Sequence, residues 1–396
     1  MDPISLAVAF MAAFGIISTD AVLHADSVSV SLYMPDELSK GTAKGDVIED
    51  MFIAKMQEIG DTKSYYGSPS VRSTKAKTMG AVLAKTLKLE DMTAAVQHTF
   101  GMKTATVNGS FAKDEKEGKL QLVAMVRDPD EPPFPVIVKR KDNESLPDMM
   151  GRAASQVMEH LAPYVTLVYT LQDADRQHDY TPVDELIGRE LKAYASKSYY
   201  RERASILNMA GIVALHKDKP EEAARLFEEA DQTDPTLLFP RLNRAFVMLV
   251  KDDEKAVETY LKPAMEAARY QRAYTILAAG DLIRAGAFMG MGRYDQAIAA
   301  LDDAEYWDPT SALVPSLRAE LCTERGDVVC AQRNQAKARA NLDNFETYPE
   351  VASLYYRISW RKGEPLKPSD LRQDLAKPAA AAPAAAVKVS DSTVAK

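Results

Sequence analysis

The sequence predicts two folds in series: an α+β N-terminal domain followed by an all-α solenoid of stacked helical hairpins. Three observations carry this. Residues 27–163 contain several short stretches that alternate apolar and polar, separated by turn residues. From Pro163 onward the apolar spacing is helical. Within that second half, a set of small, aromatic and proline positions recurs at about 34 residues, a period typical of hairpins that bury their apolar faces only by stacking on neighbours.

Composition sets the limits. The chain has 396 residues, is 46% hydrophobic and 27% charged, and carries a net charge of −8. That is enough for two domains, and the acidic balance argues against a nucleic-acid partner. The only two cysteines, Cys322 and Cys330, exclude a zinc cage and a disulfide-dense scaffold.

The N-terminus opens with an apolar run over residues 4–17, ISLAVAFMAAFGII. It is short for a membrane span and suits the apolar region of a signal peptide. Ala25 stands at a cleavage distance with Leu23 two positions earlier, while Asp2 occupies the place where Lys or Arg is usual. Three readings stay open: a signal peptide within residues 1–25, an uncleaved anchor extending through Val22, or a buried helix. The first two place the body in the periplasm or envelope, exported or anchored by residues 4–22.

In the α+β part, SVSVSLYM from Ser27 alternates like a strand with one buried face. Residues 46–59 have helical spacing, through Val47, Ile48, Met51, Phe52, Met56 and Ile59. A second strand is expected within 64–73, then helices over 77–87 and 89–100. A β-meander follows, with strands over 104–111, 119–127 and 135–139, the first two joined by the turn Asp114-Glu115-Lys116-Glu117-Gly118. Ser145-Leu-Pro-Asp then opens a helix reaching about His160.

The order of these elements, with VNGSFAKDEKEGKLQLVAMVRDP in the meander and HLAP closing the helix, resembles the TolB N-terminal-like domain over residues 27–163. The resemblance implies a small mixed domain used in interactions, without chemistry.

In the second half, RASILNMAGIVALHKDKPEEAARLFEEADQTDP places Gly211, Ala214, Ala223, Phe227, Ala230 and Pro235 at the spacings of a tetratricopeptide repeat, which this segment resembles. Small Gly211 and Ala223 let the helices approach, Phe227 fills the gap between hairpins, and Pro235 stops the second helix. A worn copy spans 238–264. Ala285, Phe288, Ala297, Leu301, Ala304 and Pro309 repeat the set at an offset of 74 residues, with an insertion near 270–275. A fourth copy holds Ala319, Cys322, Ala331 and Ala338, and residues 351–360 would cap the array. The expected organisation is therefore helical repeats over 164–362, led in by a degenerate hairpin, and a disordered Ala/Pro-rich tail over 363–396.

No chemistry-bearing cluster emerges. The five histidines (His24, His98, His160, His178 and His216) lack metal-ligand spacing. Phosphate-loop and nucleophile-elbow motifs are absent. Asn108-Gly109-Ser110 reads as a turn or strand irregularity, and the paired acids read as solvated faces. Cys322 and Cys330 face each other across the fourth hairpin, either as a disulfide or as two packed thiols.

The repeat resemblance implies an inward-facing surface of first-helix residues: Asn208, Ile212, Leu215 and His216, then Leu282, Gly286 and Met289, then Ser316, Glu320 and Thr323. This surface is mixed apolar and weakly polar and suits an apolar or helical protein segment. The expectation is a non-enzymatic scaffold without metal or cofactor. The alternative is a sensory pair, in which an apolar pocket in 27–163 binds a small ligand and the repeats relay its occupancy.

Overall fold

The structure is a computed structural model. It describes residues 27–39, 45–62, 64, 66, 68–74, 104–114, 116–129, 131–195, 200–251, 253–341 and 351. The expected N-terminal apolar run, the helices over 77–87 and 89–100, the capping segment after Val351 and the Ala/Pro-rich tail lie outside these residues. The chain divides into two compact units, Met1–Glu190 and Leu191–Lys396.

In the first unit, strands β1 (Ser27–Tyr33), β2 (Ser70–Ser73), β3 (Thr104–Lys113), β4 (Leu120–Arg127) and β5 (Phe134–Lys139) form one sheet in the order β2-β1-β3-β4-β5. β1 runs parallel to both neighbours, with Val28 beside Val71 and Ala105. β3, β4 and β5 form the antiparallel meander. Alternation sends Val28, Val30 and Leu32 of β1, Val107 and Phe111 of β3, and Leu122, Ala124 and Val126 of β4 into the core.

Helices α1 (Gly45–Gly60) and α2 (Leu146–Leu161) pack against each other, α1 also against β1 and β2, and α2 against β5. Their Ile48, Phe52, Met56, Met149, Met150 and Val157 fill the other side of that core. α2 starts where expected, because the Ser145 hydroxyl accepts the Asp148 N–H and Pro147 sits in the first turn. Buried Glu49 of α1 ties helix to sheet: its carboxylate accepts the Leu32 N–H at 3.0 Å and the Ser73 hydroxyl at 2.5 Å.

The second strand, Ser70–Ser73, lies within the stretch 64–73 where one was expected and pairs with β1. One boundary moves. Helix α3 (Pro163–Gln177), expected to lead into the repeats, packs instead on α1 and α2. The Tyr169 hydroxyl lies 2.6 Å from Lys55 Nζ and donates to Glu58 at 2.7 Å, so the compact unit continues to Glu190 and includes most of α4 (Thr181–Tyr194).

Among the described residues, the second unit is four hairpins in series: α5 (Tyr200–His216) with α6 (Pro220–Thr233), α7 (Leu238–Val250) with α8 (Glu254–Gln271), α9 (Tyr274–Gly290) with α10 (Tyr294–Trp307), and α11 (Leu313–Glu324) with α12 (Val328–Ala340). The helices of each hairpin pack on each other, and every second helix packs on the next first helix. Pro220 occupies the first turn of α6, and Asp253 and Asp327 cap α8 and α12 through the N–H groups of Ala256 and Cys330. Asp234 after α6 accepts the Thr236 N–H at 2.9 Å, and Asp308 after α10 accepts the Thr310 N–H at 3.2 Å. Each Asp-Pro-Thr thus forms the same side-chain-closed turn between hairpins. The inserted residues lengthen α8, which Arg272 ends in a left-handed conformation at φ 56°.

Candidate partner-binding surface

Burial divides the helices of the second unit into two kinds. Every residue of α5 from Ala204 to His216 is buried, whereas α6 buries only Ala223, Leu226, Phe227 and Ala230. α9 and α10 repeat the contrast, with twelve buried residues against four. First helices therefore run through the interior and second helices form the half-exposed exterior.

The expected inward-facing residues follow this division. Asn208, Ile212, Leu215, His216, Leu282, Met289 and Ser316 are all buried within the chain, and Glu320 is half-buried. Thr323 is exposed and returns its hydroxyl to the Ala319 carbonyl at 2.8 Å. These first-helix residues are therefore mostly enclosed rather than open.

Two polar members of the interior were missed from the sequence. Asn243 of α7 donates its side-chain N–H to Asn208 Oδ1 at 2.8 Å, linking consecutive first helices through a buried amide pair. The signal was present: Asn243 lies 35 residues after Asn208, close to one repeat. The second is Asp281 of α9, whose carboxylate meets Arg284 at 2.6 Å. Arg284 also reaches Glu258 of α8 at 2.6 Å. Burial pushes the Asp281 carboxyl up to about 6, with Asp303 adding to the rise and Arg284, Arg269 and a hydrogen bond from Trp307 opposing it.

A pH prediction follows. The folded chain holds the Asp281 proton more tightly than the unfolded chain does, so this group contributes stability at low pH that is lost as pH rises from about 4 to above 6. A shift of about two units is worth on the order of 2–3 kcal/mol. In urea unfolding at pH 4 and pH 7, the difference between the parent and Asp281→Asn should change by that amount, the parent being relatively weaker at pH 7. A pH-independent difference would show that the carboxyl titrates normally.

Cys322 and Cys330 are bridged, with Cα atoms 5.7 Å apart, so the fourth hairpin is stapled across its loop. Among the described residues no cluster of His, Cys, Asp and Glu is arranged to hold a metal, and no helix is long and apolar enough to cross a membrane. His160 stacks on Phe134 at 4.5 Å. Asp114 accepts the N–H groups of Lys116 and Glu117 at 2.9 and 2.8 Å and pairs with Lys139 at 2.7 Å, which makes it the clasp of the β3–β4 turn.

The first unit also has a cleft of about 730 Å³ between α1, α2 and α3, lined by Met51, Lys55, Glu58, Arg152, Tyr169 and Asp173 among others. Lys55, Glu58 and Tyr169 close a hydrogen-bonded triangle on its wall. Lys55 holds the Glu58 carboxyl below its ordinary range, and burial pushes the Tyr169 phenol up. The Arg152 guanidinium forks onto Glu144 at 2.6 and 2.8 Å and holds that carboxyl down at about 2. This cleft is open and charged. The sheet core of this unit is filled by side chains.

No family model matches the chain, and no curated protein matches it. Among solved structures it is similar to MamA 41-end from Desulfovibrio magneticus RS-1, with 16% identity and a TM-score of 0.33 over 47% of this chain and 98% of that one. It is also similar to an RS-1 MamA double mutant, with 14% identity and a TM-score of 0.32 over 47% and 98%. A third is MamA MSR-1, with 16% identity and a TM-score of 0.30 over 46% and 99%.

Proposed function

We propose that this chain is a non-enzymatic protein-interaction scaffold of the bacterial envelope, holding a partner segment along the first helices of its repeats. The observation that supports this most is the serial stacking of four hairpins among the described residues, which produces a long row of like positions. The row mixes apolar Ile212, Leu215, Leu282 and Met289 with polar Asn208, His216, Ser316 and Glu320, the composition that takes an amphipathic helix. Because the row is buried within the chain, the binding-competent state is a minor one. Apparent affinity is then reduced by the fraction of molecules in which the row is open.

An oxidising compartment is supported by the Cys322–Cys330 bridge, since such bonds persist outside the cytoplasm. Residues 4–22 would deliver or anchor the chain there. The first unit, a mixed sheet with two helices against it, would serve as a second interaction module.

Site-specific photo-crosslinking in cells tests the reading. A photoreactive residue at Glu320 or Met289 should capture one discrete protein, and the same residue at Arg225 or Lys262 on the second helices should not. Capture from the second helices alone, or from no position, would reject the first-helix row as the binding surface.

A further inference from the structure

The exterior of the helical unit carries an aromatic ledge that the first-helix row does not explain. Tyr274 opens α9, and Tyr306 and Trp307 close α10. The rings of Tyr274 and Trp307 lie nearly parallel, with centroids 5.8 Å apart and planes 18° apart. Tyr306 stands edge-on to Trp307 at 4.9 Å and 77°. Trp307 is held in place by its hydrogen bond to buried Asp281. Yet Tyr274 is 54% exposed and Tyr306 77%, and Tyr270, at the end of the lengthened α8, is 90% exposed. The insertion that breaks the repeat period is the stretch that carries Tyr270 and Tyr274. Exposed Tyr rings gathered around a half-buried Trp on fixed helices are the composition of a recognition surface rather than of a solvated face.

The geometry favours one class of occupant. Open, fixed aromatic rings form the kind of slot that polyproline II segments fill, because such a segment is already extended and loses little freedom on docking. Outside the described residues, the sequence offers a matching proline spacing. Pro365-Leu366-Lys367-Pro368 has the three-residue proline spacing that, in a polyproline II conformation, would put both rings on one edge, about 9 Å apart at about 3.1 Å per residue. Val351, the last described residue, is buried in the same unit. The stretch from Val351 to Pro365 spans up to about 45 Å when extended. Lys367 between the prolines matches the exposed Asp303 carboxylate of α10, close enough to act on Asp281.

We propose that Tyr274, Tyr306 and Trp307 form a polyproline docking ledge whose occupant is this chain's own Pro365–Pro368 segment. Docking would cover the ledge and hold the C-terminal tail against the array until a competing proline-bearing segment replaces it. This proposal is independent of what the first-helix row binds.

The test uses the full chain with Trp360→Phe, which leaves Trp307 as the only tryptophan of the two in the sequence. A synthetic peptide of residues 361–372 is titrated while Trp307 emission is followed. A tethered segment competes at about millimolar effective concentration. Adding Pro365→Ser and Pro368→Ser to the chain should therefore tighten peptide binding about tenfold. Adding Tyr274→Ala and Tyr306→Ala to that variant should abolish binding while helicity and melting stay unchanged, since both rings are largely exposed. Equal affinity for the parent and the proline variant, or no binding to the proline variant, would overturn the proposal. A concentration-dependent dimer of the parent that the proline substitutions dissolve would overturn the own-chain assignment in favour of docking between copies.

Discussion

Phe227→Ala is expected to remove about 3–5 kcal/mol of stability, the range for deleting a fully enclosed aromatic ring. Phe227 is 0% exposed and lies directly over Gly211 of the facing helix. A methyl group on Gly211 would sit 2.5 to 2.9 Å from three atoms of that ring, and a ring locked in a packed core cannot move away cheaply. Gly211→Ala alone should therefore cost about 1–3 kcal/mol through overpacking, despite the gain of about 1 kcal/mol that alanine brings to a helix interior. The two changes should be strongly coupled. With Phe227 already alanine, the methyl enters the space that the ring left, and Gly211→Ala should turn neutral or stabilising. Urea unfolding followed by circular dichroism gives all four corners of the cycle, with an expected coupling of about 2 kcal/mol. Additive effects would mean that the glycine does not set the distance between α5 and α6.

Removing the Cys322–Cys330 bridge should cost about 2–3 kcal/mol. The bond closes a short loop, with a sequence separation of 8, and the chain-entropy relation gives somewhat less for such a loop than the 3 kcal/mol or so of a fifteen-residue one. In a serial array the loss should stay local, because each hairpin depends on its neighbours alone. α11 and α12 should open first, since this hairpin has a neighbour on one side only among the described elements. Hydrogen exchange of residues 313–340 in the double serine variant should rise by ten- to a hundredfold, while α5 to α8 keep their protection. Unchanged exchange in α11 and α12 would show that the bridge adds nothing to the hairpin it spans, and a uniform rise would show that the array unfolds as one body.

Much of this architecture was legible because small residues at fixed spacing have few other uses. Gly211, Ala223 and Phe227 announced a close helix pair, and the structure puts the glycine under the ring. Pro235 and Pro309 marked equivalent places in two repeats, and the aspartates before them close the turns there. The meander was readable from alternation and from the turn that Asp114 clasps.

Packing between elements was not readable in the same way. Helical spacing could not say that α3 belongs to the sheet unit, because that follows from Tyr169 meeting Lys55 and Glu58 more than a hundred residues earlier. Nor could it say that Asn208 and Leu282 are enclosed. Position on a first helix is a property of the repeat, whereas burial depends on everything else the chain brings against it. The aromatic ledge escaped for a related reason. Tyr274 and Trp307 lie 33 residues apart, and their stacking appears only once α9 and α10 are paired.

The central claim is that the first helices form an enclosed row running through four hairpins in series. Native-state hydrogen exchange on the full chain tests it most directly. Amides of Ala204–His216 and Ile276–Met289 should exchange at least a hundredfold more slowly than those of α6 and α10, since the largest opening energies belong to the most enclosed elements. First helices that exchange as fast as the second helices would contradict it, and with it the reading of a sealed row that a partner must open.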